Sequence, residues 1–189
     1  IVNTITKEIP HIKSELIQDC NAIYEGDPAA KSKEEVILAY PGFYAIMVYR
    51  IAHMIHSLDI PLIPRLMTEI SHNITGIDIH PNAKIGNSFC IDHGSSLVIG
   101  ETAIIGNNVK LYQGVTIGSL SVKKRNQNKK RHPTIEDNVT IYARTTILGG
   151  NTVIGKNSII GGNVWITISI LENSKVTLSA KLPQITKTK

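Results

Sequence analysis

The stretch IGETAIIGNNVKLYQGVTIG, residues 99–118, decides the fold of this chain. Ile99, Ile105, Leu111 and Ile117 recur every six residues, and Gly100, Gly106 and Gly118 directly follow three of them. The spacing extends outward in both directions. Ile79, Ile85 and Ile91 keep it upstream, before a two-residue slip. Ile135, Ile141 and Ile147 keep it downstream, and Ile154, Ile160 and Ile166 carry it on after one more slip. A helix repeats its apolar face every three to four residues and a half-buried strand every second one. A period of six with a small residue at the corner fits neither. It fits a β-solenoid in which each short strand sends one aliphatic side chain inward and then turns. With three faces per coil, a coil takes about 18 residues and the repeat region about five coils.

The flanking segments read differently. Ile9, Ile12, Leu16, Cys20 and Ile23 share one helical face, which ends at Gly26-Asp27-Pro28. Further helices are expected over 34–40, 43–58 and 62–74, with breaks at Pro41-Gly42 and at Pro61 and Pro64. Residues 1–75 therefore form an α-helical domain for oligomerisation, capping one solenoid end. Residues 76–170 form the solenoid. Within it, 119–131 is an inserted polar loop, SLSVKKRNQNKKR, that interrupts the repeat. Residues 171–189 form a trailing tail with a disordered basic end.

Among 189 residues there are two cysteines, 70 positions apart, so no disulfide framework is expected and a reducing, cytoplasmic compartment is. No apolar run approaches the ~20 residues of a membrane span, and no signal-peptide core opens the chain, so no membrane partner is expected. The first residue, Ile1, suggests a processed or incomplete start. The formal charge of +5 is concentrated in 123–131 and the tail. One basic loop with few aromatic residues points to an anionic small molecule rather than to nucleic acid.

Seven histidines supply the candidate bases. His11, His53, His56 and His72 fall on the helices and read as surface or packing residues, and His80 beside Pro81 reads as structural. His93 follows Asp92 at a corner after Ile91. Asp78 lies 15 residues upstream, almost one coil, an interval that sets the two corners on adjacent coils. A carboxylate there would fix the imidazole tautomer of a general base.

Five motifs in one order carry a family resemblance: GDPAA (26–30), YPGFYAIMVYRIAH (40–53), DIHPNAKIG (78–86), IDHGSSLVIGET (91–102) and RHP (131–133). From about Gly26 to Ile166 the chain closely resembles the serine O-acetyltransferases of the hexapeptide-repeat acetyltransferase family. The resemblance implies an all-β left-handed parallel β-helix with an N-terminal α-helical domain, assembled as a homotrimer or a dimer of trimers. It implies transfer of an acetyl group from acetyl-CoA to the hydroxyl of L-serine, with L-cysteine as feedback inhibitor and no metal. Carried over residue by residue, His93 and Asp78 are the catalytic dyad. Asp27 and Asp92 receive the serine ammonium, while Arg131 and His132 receive its carboxylate. Gly118, Ala143, Gly161 and Gly162 line the pantetheine arm of the co-substrate.

Two departures stand against this pattern. Ser119-Leu120-Ser121 and the basic insertion replace a glycine-rich loop after Gly118, with Lys123, Lys124 or Lys130 available to a CoA phosphate. Members that dock into O-acetylserine sulfhydrylase do so through a terminal isoleucine. This chain ends Thr186-Lys187-Thr188-Lys189, which predicts no such complex. The nearest alternative function is acetyl transfer to a sugar or another hydroxyl acceptor, which needs neither charge of a zwitterion. A zinc-dependent carbonic anhydrase on the same solenoid needs two histidines five residues apart, and His80, His93 and His132 do not supply that spacing. A non-enzymatic scaffold explains the repeat but not the charged corners.

Overall fold

The structure is a computed structural model that describes residues 2–121 and 123–178. Four helices come first: α1 (Val2–Gly26), α2 (Lys33–Ala39), α3 (Pro41–Ser57) and α4 (Ile63–Thr75). Their ends follow local chemistry. At α2 the Ser32 hydroxyl accepts the Glu35 amide at 3.2 Å, and the Glu35 carboxylate accepts the Lys31 amide at 2.7 Å. Pro41 opens α3, where its missing N–H costs nothing. Gly76 closes α4 in the left-handed region, φ 69°, its amide returning to the His72 carbonyl at 2.8 Å. Of the expected apolar face of α1, Ile12, Cys20 and Ile23 are buried, but Ile9 is 54% exposed. It lies on the rim of an apolar groove shared with Ile37, Phe43, Ile51 and Met54.

From Ile77 the chain coils. Among the described residues, fourteen short strands form three parallel sheets that are the faces of a prism. Face A holds β1 (Ile77–Ile79), β4 (Leu97–Ile99), β7 (Thr116–Gly118), β10 (Thr146–Leu148) and β13 (Trp165–Ile166). Face B holds β2 (Lys84–Ile85), β5 (Ile104–Ile105), β8 (Thr134–Ile135) and β11 (Val153–Ile154). Face C holds β3 (Cys90–Asp92), β6 (Lys110–Tyr112), β9 (Thr140–Ile141), β12 (Ile159–Ile160) and β14 (Lys175–Val176). Register pairs Ile77 with Leu97, Ile99 with Ile117, Ile117 with Ile147 and Ile147 with Ile166. The successive coils thus take 20, 18, 30 and 19 residues, the third swollen by the 119–131 insertion. Strand β14 adds a rung to face C beyond Ile170. The basic end of the tail, 179–189, lies outside the described residues.

Every repeat aliphatic except the half-buried Ile85 is buried, each contributing about 1.5–3 kcal/mol. Two residues before most of them a second, smaller residue also faces inward: Ala83, Ala103, Val109, Val115, Val139, Thr145, Thr152 and Ser158 are all buried. The hydroxyls of Thr145, Thr152 and Ser158 are each satisfied, as the Thr145 bond to the Gly161 carbonyl at 2.7 Å illustrates. At the corner between faces B and C the left-handed position is filled by asparagine rather than glycine. Asn108, Asn138, Asn157 and Asn173 all take φ near 55–59°, a region asparagine tolerates. Their side-chain amides bond one to the next at 3.1–3.2 Å, a polar ladder along that edge.

Helices α1, α3 and α4 pack against the first coil. The Tyr49 hydroxyl donates to the Ala83 carbonyl at 2.6 Å, and a His53 ring nitrogen meets the Pro81 carbonyl at 2.7 Å. Arg50 makes the deepest tie. Its guanidinium grips Asp19 bidentately at 2.6 and 2.9 Å and donates to the Gly86 carbonyl at 2.8 Å, while the Phe89 amide donates to the same Asp19. Arg50 and Asp19 are both buried, so losing one partner would strand the other without water. Most of the YPGFYAIMVYRIAH motif thus seats α3 on the solenoid. Gly42 permits the closest approach, because a β-carbon there would sit 2.4 Å from the Ile91 carbonyl. Among the described residues no single helix is long and apolar enough to cross a membrane.

Candidate functional site

Two polar clusters occupy two different edges of the prism. The first lies on the edge between faces C and A, where the helical cap meets the first coil. As α1 ends, Asp27 turns back on itself: its carboxylate accepts the Ala29 amide at 2.8 Å and the Tyr40 hydroxyl at 2.7 Å. These two bonds hold the Asp27 carboxyl below its usual range. The same bond pushes the Tyr40 phenol up to about 12, so Tyr40 remains a neutral donor. Asp92 faces outward from β3 because its neighbour Ile91 faces the core. One Asp92 oxygen lies 3.0 Å from the Lys110 ammonium and the other 3.7 Å from His93 Nε2.

His93 sits at the corner with φ 58°, and its side chain is 73% exposed. The turn itself therefore pushes the imidazole off the prism. Lys110 joins the acidic residues of the two domains into one site: its ammonium donates to the Gly26 carbonyl, next to Asp27, at 2.7 Å and pairs with Asp92 at 3.0 Å. Cys90 is different. It is buried, and burial pushes its thiol up to about 12, so it is no nucleophile at neutral pH.

Asp78 is placed otherwise than its spacing suggested. It lies within strand β1, between the inward Ile77 and Ile79 rather than at a corner, and pairs across face A with Val98, 20 residues on. Among the described residues no hydrogen bond or ion pair joins Asp78 to His93.

The second cluster lies on the edge between faces A and B, at the end of the insertion. The Thr102 hydroxyl is its hub, accepting the amides of Arg131 at 2.9 Å and His132 at 3.1 Å. His132 Nδ1 accepts the Thr102 amide at 3.0 Å and lies 2.9 Å from the Thr102 hydroxyl. With Nδ1 an acceptor, the neutral ring carries its proton on Nε2. Burial, then the adjacent Arg131 charge, lowers the His132 pKa to about 4, so the neutral form prevails at pH 7. Arg131 pairs with Glu101 and donates to the Gln127 carbonyl at 2.7 Å. These groups, with Ser119, Ser121, Lys123 and Lys124, line a polar pocket of about 510 Å³. Lys130 is committed elsewhere, its ammonium bonded to the carbonyls of Thr102, His132 and Pro133. Of Lys123, Lys124 and Lys130, only the first two line this pocket among the described residues.

Of the positions tied to the pantetheine arm, Ala143, Gly161 and Gly162 climb the edge that carries His93, and the Asn163 amide donates to the Ala143 carbonyl at 2.9 Å. Gly118 ends β7 on the other edge, where a β-carbon would sit 2.8 Å from Leu148. The chain thus brings Asp27, Asp92 and His93 together, and separately Arg131 and His132, with the whole of face A between the groups.

Sequence reasoning missed Lys110, Tyr40, Glu101 and Thr102 as members of these clusters. The last three stood inside quoted motifs. Lys110 had one local signal, a cation at an outward strand position between the inward Val109 and Leu111.

No family model matches the chain. Against curated proteins, it is 47% identical over 140 residues to a plasmid-encoded serine acetyltransferase of Synechococcus elongatus, covering 71% of this chain and 44% of that protein. It is 48% identical over 120 residues to the Bacillus subtilis serine acetyltransferase, covering 64% and 54%. The chain therefore spans about half the length of these curated relatives. Among solved structures, it superposes with a TM-score of 0.91 on serine acetyltransferase isoform 3 of Entamoeba histolytica in complex with cysteine, at 44% identity, covering 98% of this chain and 64% of that one. The serine complex of the Neisseria gonorrhoeae serine acetyltransferase gives a TM-score of 0.83 at 34% identity, covering 91% and 69%.

Proposed function

The chain belongs to the serine acetyltransferase family, and from that premise we propose that it moves an acetyl group from acetyl-CoA to the hydroxyl of L-serine. The observation that carries this reading is the joining of Asp27, Asp92 and His93 in one cluster through Lys110, which bonds Gly26 and Asp92, an anionic niche beside an exposed imidazole. In this mechanism His93 takes the hydroxyl proton as the serine oxygen attacks the thioester carbon, and the thiol leaves with a proton. Asp78 is the carboxylate of the proposed dyad and supports the imidazolium that forms. Asp27 and Asp92 receive the substrate ammonium. Arg131 and the Nε2–H of His132 receive its carboxylate, with Arg131 exchanging its Glu101 partner for the ligand.

One prism cannot bring its two edges to one substrate. The second edge is therefore supplied by another copy of the chain, in a trimer or a dimer of trimers. Acetyl-CoA lies between copies, along Ala143, Gly161 and Gly162 of one and Gly118 of the next, with Lys123 and Lys124 offered to its phosphates. L-cysteine has the same ammonium and carboxylate as serine and competes for the same niche. Solved relatives hold cysteine or serine. Two buried free thiols suit a reducing, cytoplasmic setting.

Thiol release from acetyl-CoA, followed with L-serine and separately with sugars and other amino acids, tests the reading. Release that depends on L-serine is expected. Release with a sugar and none with serine overturns it.

A further inference from the structure

Lys110 makes contacts that the acetyl-transfer chemistry does not use. Its ammonium donates to the Gly26 carbonyl at 2.7 Å, pairs with Asp92 at 3.0 Å and lies over the Tyr112 ring, 4.7 Å from its centroid. The Gly26 carbonyl belongs to the last turn of α1, where carbonyls lack helical partners and the helix dipole favours a cation. The next residue is Asp27. One ammonium thus bonds the residue before one carboxylate and the side chain of the other, across 84 positions of sequence.

The pair is largely shielded from water, with the Lys110 and Asp92 side chains 18% and 14% exposed. Shielding strengthens each bond and raises the cost of leaving either group unmatched. Lys110 stands across the ladder from Cys90 and reaches Asp92 diagonally, its ammonium held over the Tyr112 ring. Bond and charge together leave the niche with one uncompensated carboxylate instead of two.

We propose that Lys110 is a positioning residue that sets both the spacing and the net charge of the Asp27–Asp92 pair, fitting the niche to an acceptor with a single ammonium. This inference rests on the serine-acetylating reading above. It goes further in assigning acceptor affinity to a residue outside the acid–base machinery. A helix-end staple alone would need the bond to Gly26 but not the charge.

The test follows thiol release by the full chain at saturating acetyl-CoA for wild type, Lys110→Met, Lys110→Gln and Lys110→Arg. Each variant yields kcat, KM for L-serine and a melting temperature. Glutamine keeps a donor for Gly26 without the charge, and arginine keeps the charge. Methionine and glutamine should raise the serine KM about tenfold, the size of one charge-assisted hydrogen bond, with kcat within about threefold. Arginine should restore both values to within about threefold of wild type. If methionine fails to fold, glutamine and arginine still decide. An unchanged KM in the glutamine variant, a fall in kcat alone, or an arginine variant as poor as glutamine overturns the inference. A wild type that releases no thiol with L-serine fells the acetyltransferase reading and this inference together. An active wild type with an unmoved KM fells the inference alone.

Discussion

The His132 ring lies flat against Gly100, so close that a β-carbon on Gly100 would fall 2.1 Å from two ring atoms. The glycine after Ile99 is thus required by packing as well as by the corner. Gly100→Ala must expel the imidazole, break its bonds to Thr102 and overpack the edge, at a cost of about 1–3 kcal/mol. The serine KM should rise about tenfold or more as the Nε2–H leaves its place. A melting curve and a serine titration check this. Both unchanged would mean that His132 has no fixed role.

Stability should fall in mild acid. His132 and His80 both have pKa values lowered to about 4, each first by burial, then by Arg131 and Arg65 respectively. The unfolded chain titrates them near 6.5. Above 6.5 both states are neutral and these groups give no dependence. Between about 6.5 and 4 the unfolded state binds more protons, so stability drops as pH falls. The loss is at most about 1.4 kcal/mol per pH unit for each histidine. Asp27 adds its own loss only below the ordinary carboxylate range, since its carboxyl is held low. Urea midpoints at pH 7, 6 and 5 should decline, and His132→Asn should reduce the slope. A flat profile contradicts the burial argument.

Removal of the base should cost turnover without harming the fold. His93 projects into solvent, so His93→Ala leaves the core intact. Its kcat should drop by about 10²–10⁴, the usual worth of general-base catalysis. Near-normal turnover by the folded variant would end the assignment. A covalent acetyl group trapped on Cys90 would end direct transfer.

Sharing of the site between copies gives a complementation test. His93→Ala and Arg131→Ala subunits should each be inactive alone and recover part of the activity when co-assembled. The two lesions lie on different edges, so some clefts of a mixed trimer receive neither. Full activity from a monomer in sedimentation would rule out the shared site.

The five-coil solenoid was legible in the sequence because its core is periodic. A side chain that must face inward on every rung leaves a mark at every sixth position, from Ile79 to Ile166. Helix ends were legible for the same local reason, through Gly26-Asp27-Pro28 and Pro41. The grouping of chemistry was not. Asp78 came to pair with Val98 because the first coil took 20 residues rather than 18, a difference that only register exposes. Arg131 and His132 came to a different edge from His93 because the insertion ends where face A turns into face B. The Lys110 bond to Gly26 joins a strand to a helix end 84 residues away. No local pattern encodes such a contact: it exists only once α3 has seated on the first coil and drawn the end of α1 against β6. Sequence determined what repeats, since repetition is local. Packing decided what meets.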